Sequence, residues 1–280
     1  LYPANTLKNM HLLREPGLKH VFIGHGDSDK VSSINSFTRV YDEALARYGV
    51  LTREVEELTA ATDAALCRQI GRPRFEQPVV VLNSLSWDRE EWLKRDERWI
   101  KAKVPSLGYA VLDAAVEAPF EAPIVSGSLL ENEKLRIAFD KSGAMVSCFD
   151  KEAGREVLAP ATLGNVLAVY QDDGDAWDIP MNYRERAPKR PRLHATEIVR
   201  DGPRAALCHT YCIGNSTLRQ EVVLFAGSRR VDFVTTVDWH ESGKMLRTSF
   251  VPAVSANEAT CDIQFGSIRR PTHTNTPADW

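Results

Sequence analysis

The densest group of chemically reactive side chains lies near the start of the chain, between His20 and Lys30. A short apolar run leads into a Gly-His-Gly turn at residues 24–26, and acidic, hydroxyl and basic side chains follow it. A strand that ends in such a turn can present His25 as a general base, and its glycines allow the backbone to approach a phosphate. From the spacing alone, a polar surface turn is the slightly favoured interpretation.

A second group of candidate residues lies in the latter half of the chain. Trp177 offers an apolar face for a sugar ring, and Asp175 and Asp178 beside it can accept hydrogen bonds from hydroxyl groups. Arg270 and His273 are hydrogen-bond donors in a turn that contains a proline. From residue type alone, structural roles are favoured for this group, with Trp177 in the core and Arg270 in an ion pair.

Two further pairs of residues suggest metal binding or acid–base chemistry. Cys208 and Cys212 lie in a segment typical of a strand, so they would share a face about 13 Å apart, too far to bind one ion together. Glu131 and Glu133 would lie about 7 Å apart on one face, within the range of paired glycosidase carboxylates. Charged pairs are common at strand edges, so we interpret both pairs as structural.

The segment from residue 36 to residue 72 is predicted to be helical. Its large apolar side chains recur every three or four residues, charged side chains lie between them, and no proline interrupts it. The Gly-Arg-Pro sequence at residues 71–73 is a helix stop signal, which places a domain boundary near residues 71–77.

From residue 78 onward, the pattern is typical of β-strands. Residues 78–83 form a short apolar run that suits a strand buried on both faces. Residues 135–139 alternate in polarity, residues 141–143 predict a turn, and residues 144–149 form the returning strand of a hairpin. Strands at this spacing, without helices between them, favour a large antiparallel β-sandwich. Further strands are predicted at residues 205–213 and 231–239, with a turn at residues 201–203.

The composition argues against several classes of protein. The 280 residues hold 35 Lys and Arg against 38 Asp and Glu, a net charge of −3, so no nucleic-acid partner is expected. No apolar run reaches the roughly 18 residues that a membrane-spanning helix needs. Five cysteines at low density are not typical of a disulfide scaffold, and they favour a reducing, cytoplasmic location.

Residues 9–43 resemble the CDP-glycerol glycerophosphotransferase family of teichoic-acid polymerases. The family's His-Gly-x-x-x-Lys motif is matched by His25, Gly26 and Lys30. The resemblance implies that His25 is a base that activates an acceptor hydroxyl. Nothing beyond residue 43 resembles the nucleotide-binding part of such an enzyme, so we interpret residues 1–35 as a transferase-like segment.

The rest of the chain resembles a different family, glycoside hydrolase family 38, the α-mannosidases. The resemblance consists of many separate motifs in the family's order, and residues 40–48 resemble the last part of that family's helical bundle. It implies a mainly β fold, an antiparallel β-supersandwich of the galactose-mutarotase-like type over residues 78–280, preceded by a short α-helical segment over residues 36–72. The motifs are Val79–Arg89, Val104–Tyr109, Leu130–Asp140, Asp150–Leu158, Asp175–Asp178, Asp238–Glu241 and Arg270–Thr276.

The same resemblance implies a chemistry. Family 38 enzymes are zinc-dependent retaining glycosidases, in which a carboxylate attacks the anomeric carbon and zinc holds the sugar hydroxyls. Their nucleophilic aspartate and most zinc ligands lie in an N-terminal α/β barrel that has no counterpart in this sequence. The final ligand is a histidine before the helical bundle, and His25 lies near that position, although Lys30 and Val31 replace the family's Pro-Gly pair.

The resemblance places Asp175, Trp177, Asp178, Arg270 and His273 nearest the substrate cleft of an intact enzyme. We therefore predict that the chain is a fragment of an α-mannosidase whose partner is a mannose-containing carbohydrate. The fragment is expected to be inactive alone and to bind no zinc. The alternatives are a carbohydrate-binding or structural accessory module, and a glycerophosphotransferase fragment that acts through His25. Sheet edges left open by truncation would favour self-association.

Overall fold

The computed structural model describes residues 44–70, 74–174, 179–180, 182–263, 266–273 and 275, with side chains described from Gly49 onward. The first element in these ranges is an α-helix, α1 (Ala44–Ile70). Its position confirms the α-helical segment that was expected before the strands. The chain divides into two compact units, residues 1–80 and 81–280.

From residue 78 onward, the described chain is built of β-strands, which confirms the mainly β prediction. Every strand pair of defined register is antiparallel, including the long pairs between β11 and β12 and between β12 and β13. The strands are β1 (Pro78–Leu82), β2 (Arg89–Arg95), β3 (Arg98–Val104), β4 (Tyr109–Asp113), β5 (Ile124–Ser126), β6 (Leu129–Glu131), β7 (Leu135–Phe139), β8 (Met145–Asp150), β9 (Arg155–Glu156), β10 (Val166–Gln171), β11 (Arg192–Asp201), β12 (Arg204–Ile213), β13 (Ser216–Phe225), β14 (Val231–Asp238), β15 (Lys244–Ser249), β16 (Glu258–Ile263) and β17 (Gly266–Pro271).

Two larger sheets form the centre of the β region. One has the order β5-β6-β7-β8-β9, and the other has the order β11-β12-β13-β14. Strands β5 and β6 contact β12, so the two sheets meet there. A smaller sheet pairs β10 with β15, and β16 pairs with β17 as a hairpin. This arrangement is the antiparallel sandwich that the sequence predicts.

The main core lies between the two larger sheets. Strand β7 buries alternate side chains, because successive residues of a strand point to opposite faces. Its buried Ile137 packs in one cluster with Leu207 of β12 and with Val222 and Leu224 of β13. A second cluster joins β10 to the other end of β12 and β13 through Val169, Tyr211 and Leu218. Strands β12 and β13 therefore contribute to both clusters.

The predicted hairpin of β7 and β8 is confirmed, and its turn packs tightly on the next sheet. Asp140 caps the turn, since its Oδ1 accepts hydrogen bonds from the backbone nitrogens of Ser142 at 2.7 Å and Ala144 at 3.1 Å. Gly143 has a φ of +79°, a left-handed conformation that favours glycine. A Cβ atom there would lie 2.2 Å from the hydroxyl of Tyr211.

The buried Asn132 links the turn between β6 and β7 to the opposite sheet. Its Nδ2 donates to the carbonyl oxygens of Phe225 at 2.7 Å and Ser228 at 2.8 Å. Its Oδ1 accepts from the backbone nitrogens of Lys134 at 2.9 Å and Leu135 at 2.8 Å. One side chain therefore satisfies four backbone groups.

Two expectations about strands need correction. The apolar run at residues 78–82 does form β1, but its ends are exposed and its middle is only half-buried, so the prediction of burial on both faces was wrong. An apolar run indicates strand propensity, whereas burial depends on what packs against the strand. The strand predicted to run to residue 239 ends at Asp238.

We expect the buried His209 to make stability depend on pH. The side chain is 1% exposed, it contacts the ring of Phe139, and its Nδ1 lies 3.3 Å from the Tyr211 hydroxyl. Burial lowers the pKa of His209, so the unfolded chain binds a proton more readily than the folded chain. The contribution of neutral His209 to the free energy of unfolding is therefore fully present above the unfolded pKa of about 6.5. As the pH falls below that value, the free energy of unfolding decreases by up to about 1.4 kcal/mol per pH unit.

Urea unfolding between pH 8 and pH 5 tests this expectation. The loss of stability on acidification should be smaller in His209→Gln than in the unmodified chain. His194→Gln is the matched control, because His194 is exposed and lies on β11. An equal pH dependence in all three proteins would contradict the assignment to His209.

Candidate functional site

The candidate residues Asp175, Trp177 and Asp178 lie outside the described residues, but the chain on both sides of them is described. Strand β10 ends at Gln171, and Lys189 returns to the same strand. The backbone nitrogen of Val169 donates to the Lys189 oxygen at 2.8 Å, and the Lys189 nitrogen donates back at 2.9 Å. The segment that carries these candidates therefore leaves β10 and rejoins it.

The first flank of this segment is a polar cluster at the end of β10. Gln171 donates to Asp173 at 2.9 Å, and Arg186 forms an ion pair with the same carboxylate. The hydrogen bond from Gln171 and then that from Arg186 lower the pKa of Asp173. Lys244 of β15 donates to the amide oxygen of Gln171. The cluster thus holds an ionised carboxylate at the surface.

The second flank is a 3-10 turn, Tyr183–Glu185, that rests on the β10–β15 sheet. The ring of Tyr183 meets the ring of Tyr170 edge to face, with centroids 5.0 Å apart. The guanidinium carbons of Arg247 and Arg184 lie 4.9 Å and 5.3 Å from the Tyr183 centroid. Both arginines also donate to the Tyr183 hydroxyl, Arg184 through Nε at 2.7 Å.

The sequence alone does not reveal this aromatic and basic cluster. Tyr183 and Arg184 are adjacent, but Arg247 belongs to β15 and reaches them only because β15 pairs with β10. No spacing rule joins residues that distant in sequence. The one local signal is the pair of tyrosines on either side of the candidate segment, Tyr170 and Tyr183.

Arg270 and His273 are described, and both are exposed. Arg270 lies on β17 opposite Ala259, and His273 follows the end of that strand. The backbone nitrogen of Thr272 between them donates to the Asn257 oxygen at 3.1 Å, which ties this end of the hairpin together. The two residues are thus placed near each other in the chain, and their common cleft with Asp175, Trp177 and Asp178 stays a prediction.

The paired glutamates have structural partners. Glu131 forms ion pairs with Lys151 at 2.7 Å and with Arg136 at 3.4 Å. Glu133 instead accepts a hydrogen bond from the backbone nitrogen of Gly227 at 2.8 Å. Because each carboxylate is engaged by a different part of the fold, the geometry supports their interpretation as structural residues.

The described residues also bear on metals, disulfides and membranes. In the ranges that the structure covers, no group of three or more His, Cys, Asp and Glu side chains is placed to hold a metal ion. All five cysteines are free, with Cys208 buried and Cys212 half-buried. Within the described part of the chain, no helix has the length and apolar character required to cross a membrane. His25, Gly26 and Lys30 lie outside the described residues.

Comparison with known proteins supplies the family. Alpha-mannosidase 2C1 of Homo sapiens is 32% identical over 263 residues, covering 86% of this chain and 25% of that protein. Alpha-mannosidase G of Dictyostelium discoideum is 33% identical over 162 residues, covering 54% of this chain and 15% of that protein. The chain thus spans about a quarter of the length of the mammalian relative.

One solved structure is similar over a large part of the chain. The crystal structure of an alpha-mannosidase from Enterococcus faecalis V583 matches with a TM-score of 0.48 and 10% identity, covering 76% of this chain and 30% of that one. The family assignment rests on sequence. The profile of the "Glycosyl hydrolases family 38 C-terminal domain" matches residues 130–280, more than half of the chain. The predicted resemblance is confirmed: the chain belongs to glycoside hydrolase family 38 and carries its C-terminal domain.

Proposed function

We propose that this chain is the β-sandwich part of a zinc-dependent retaining α-mannosidase. The observation that carries the proposal is the family 38 match over residues 130–280, joined by 32% identity to an α-mannosidase over 86% of the chain. In the intact enzyme, the sandwich would support a catalytic barrel and line one side of the cleft for a mannose-containing carbohydrate. Fold alone would not support an activity, so both the activity and the substrate need a direct test.

The proposed division of labour follows from the chemistry. A retaining glycosidase needs a carboxylate nucleophile and a second carboxyl group that acts first as acid and then as base. The described residues offer no metal-ligand group, and Glu131 and Glu133 have separate structural partners. We therefore propose that the nucleophile and most zinc ligands belong to other parts of the intact enzyme, with His25 as the one candidate ligand here.

We expect the purified chain to release no mannose from an aryl α-mannoside, with or without added zinc. The reason is that neither the nucleophile nor a complete zinc site is proposed to lie within it. The measurement is the rate of aryl alcohol release, with a full-length α-mannosidase relative as positive control. Zinc-dependent turnover by the chain alone would overturn this division of labour.

We also expect mannosides to bind near Trp177, with Asp175, Asp178, Arg270 and His273 as the other proposed substrate-proximal residues. Titration with a mannoside should produce a saturable change in tryptophan fluorescence that Trp177→Phe abolishes. Trp87→Phe is the matched control, because Trp87 is 59% exposed and is not one of the proposed substrate-proximal residues. A signal that survives in Trp177→Phe, or that never saturates, would exclude this cleft. Binding without turnover would equally fit a carbohydrate-binding accessory module.

We further propose a cytoplasmic location, self-association and a domain organisation. Free cysteines and the absence of an evident disulfide scaffold support a cytoplasmic location. Edge strand β14 exposes Val234 and Val237, which supports self-association through sheet edges. We keep the division into residues 1–35, 36–72 and 78–280 as a proposal for the domain organisation.

Glycerophosphate transfer through His25 is the second candidate function. It is supported by the His25-Gly26-x-x-x-Lys30 motif alone. Failure of the chain to bind CDP-glycerol would exclude it, whereas binding that His25→Ala weakens would favour it over the α-mannosidase proposal for the N-terminal segment.

A further inference from the structure

We propose that Tyr183, Arg184 and Arg247 form a binding site for a phosphate group, either free or as a monoester. The site lies on the β10–β15 sheet, and it goes beyond the proposed α-mannosidase function because it needs no glycosidic bond. Only the question of whether a sugar carries the phosphate rests on that function.

Two cations converge on one hydroxyl group at this site. Arg184 and Arg247 both donate to the Tyr183 oxygen, and both guanidiniums lie about 5 Å from the Tyr183 ring. The aromatic face attracts each cation, but two guanidiniums held this close repel each other. An oxyanion between them would relieve the repulsion.

The charges around the two arginines also favour an anionic ligand. Asp173 is engaged by Arg186, and none of the described carboxylates forms an ion pair with Arg184 or Arg247. Lys244, on the same sheet as Arg247, adds a further positive charge and donates to the neutral Gln171. In the described part of the molecule, the charges of Arg184 and Arg247 are therefore not neutralised by an ion pair, whereas the charge of Lys244 acts on Asp173.

The hydroxyl group of Tyr183 is a further hydrogen-bond donor at this site. A phenolic oxygen has one hydrogen to donate and two lone pairs. The two arginines occupy the lone pairs, so the hydrogen is available to an acceptor oxygen of a ligand. Arg184 is exposed, and Tyr183 and Arg247 are half-buried, so a ligand can reach the site from solvent.

The chemistry of the donors selects phosphate over a neutral sugar. Guanidinium groups present N–H donors in a planar fork that matches the oxygens of a phosphate, and charge-assisted hydrogen bonds are the strong ones. Two guanidinium groups and the ring of Tyr170 already contact the Tyr183 ring, so a sugar ring would have to compete with these contacts in order to stack there. An anionic group with several acceptor oxygens fits the arrangement best.

The test is isothermal titration calorimetry of the full chain at low ionic strength. Inorganic phosphate, mannose 6-phosphate and mannose are titrated separately. We expect saturable phosphate binding that weakens about tenfold or more in Arg247→Gln, since one charge-assisted contact is lost. Tyr183→Phe keeps the ring but removes the hydroxyl, and it should also weaken binding while leaving the circular dichroism spectrum unchanged. If mannose 6-phosphate binds more tightly than inorganic phosphate, the ligand is a sugar phosphate ester. If the two affinities are equal, the site recognises the free phosphate oxyanion.

The matched control is Arg269→Gln, which removes the same charge from an exposed arginine on another sheet, where it pairs with Glu258 at 3.7 Å. It should leave phosphate affinity unchanged. The proposal is overturned if phosphate does not saturate, or if Arg269→Gln weakens binding as much as Arg247→Gln does. It is also overturned if phosphate binds only to the Asp175→Asn, Asp178→Asn double variant. In that case, the chain's own carboxylates would be the partners of the two arginines in the unmodified protein. Binding of mannose without binding of phosphate would exclude this phosphate site and would remain consistent with the proposed α-mannosidase function.

Discussion

Replacing Gly143 by alanine is expected to lower the free energy of unfolding by about 2 to 5 kcal/mol. The added methyl group would lie 2.2 Å from the Tyr211 hydroxyl and 2.9 Å from Nδ1 of His209. Tyr211 and His209 are 2% and 1% exposed, so neither ring can swing into solvent to make room. The left-handed backbone at φ +79° adds its own cost for a residue with a side chain. Urea unfolding followed by circular dichroism measures the loss.

Gly154→Ala separates the two causes of that loss. Gly154 has a similar φ of +63°, but an added Cβ atom would meet nothing within 4 Å. This variant should therefore lose only the backbone contribution, about 1 to 2 kcal/mol. Equal losses in the two variants would show that packing against Tyr211 and His209 contributes nothing.

Asn132→Ala is expected to cost about 3 to 5 kcal/mol of stability. The substitution leaves the carbonyls of Phe225 and Ser228 and the amides of Lys134 and Leu135 without their side-chain partner. Each buried polar group left unsatisfied costs about 1 to 3 kcal/mol of stability. Water molecules that enter the space and bind these groups would reduce the summed cost. Chemical denaturation of the variant gives the difference in unfolding free energy.

Two comparisons test the cause assigned to Asn132. Asn132→Asp keeps the acceptor oxygen but loses both donated hydrogen bonds and places a negative charge against two carbonyls, so it should rescue little of the loss. Asn215→Ala is the surface control, because Asn215 is exposed, and it should stay within about 0.5 kcal/mol of the unmodified chain. A mild effect in Asn132→Ala, similar to that control, would contradict the proposed link between the sheets.

Local features of the fold were predictable from sequence, and distant pairings were not. The hairpin of β7 and β8 is encoded by alternating polarity on both sides of a glycine turn, so its partners lie within a few residues of each other. The pairing of β10 with β15 joins residues separated by four other strands, and no periodicity reports it. The family resemblance supplied the sandwich as a whole, but it did not identify this pair.

The same limit applies to individual residues. Glu131 and Glu133 have the residue type and spacing that suggest chemistry, whereas Asn132 between them is the buried residue that holds the sheets together. Residue type marks which groups are reactive, but burial and hydrogen bonding depend on the opposite sheet. Tyr183 and Arg247 were missed for a related reason, since their contact depends on tertiary pairing.

The return of Lys189 to the strand that the chain left at Gln171 has an evolutionary consequence. The two ends of this excursion are held by the sheet, so insertions and deletions between them need not disturb the sandwich. Doubling the length of a flexible loop costs only about 0.6 kcal/mol in closure entropy. The sandwich should therefore tolerate changes in the length and sequence of this excursion, which carries the proposed substrate-proximal residues, without a change in the strands that support it.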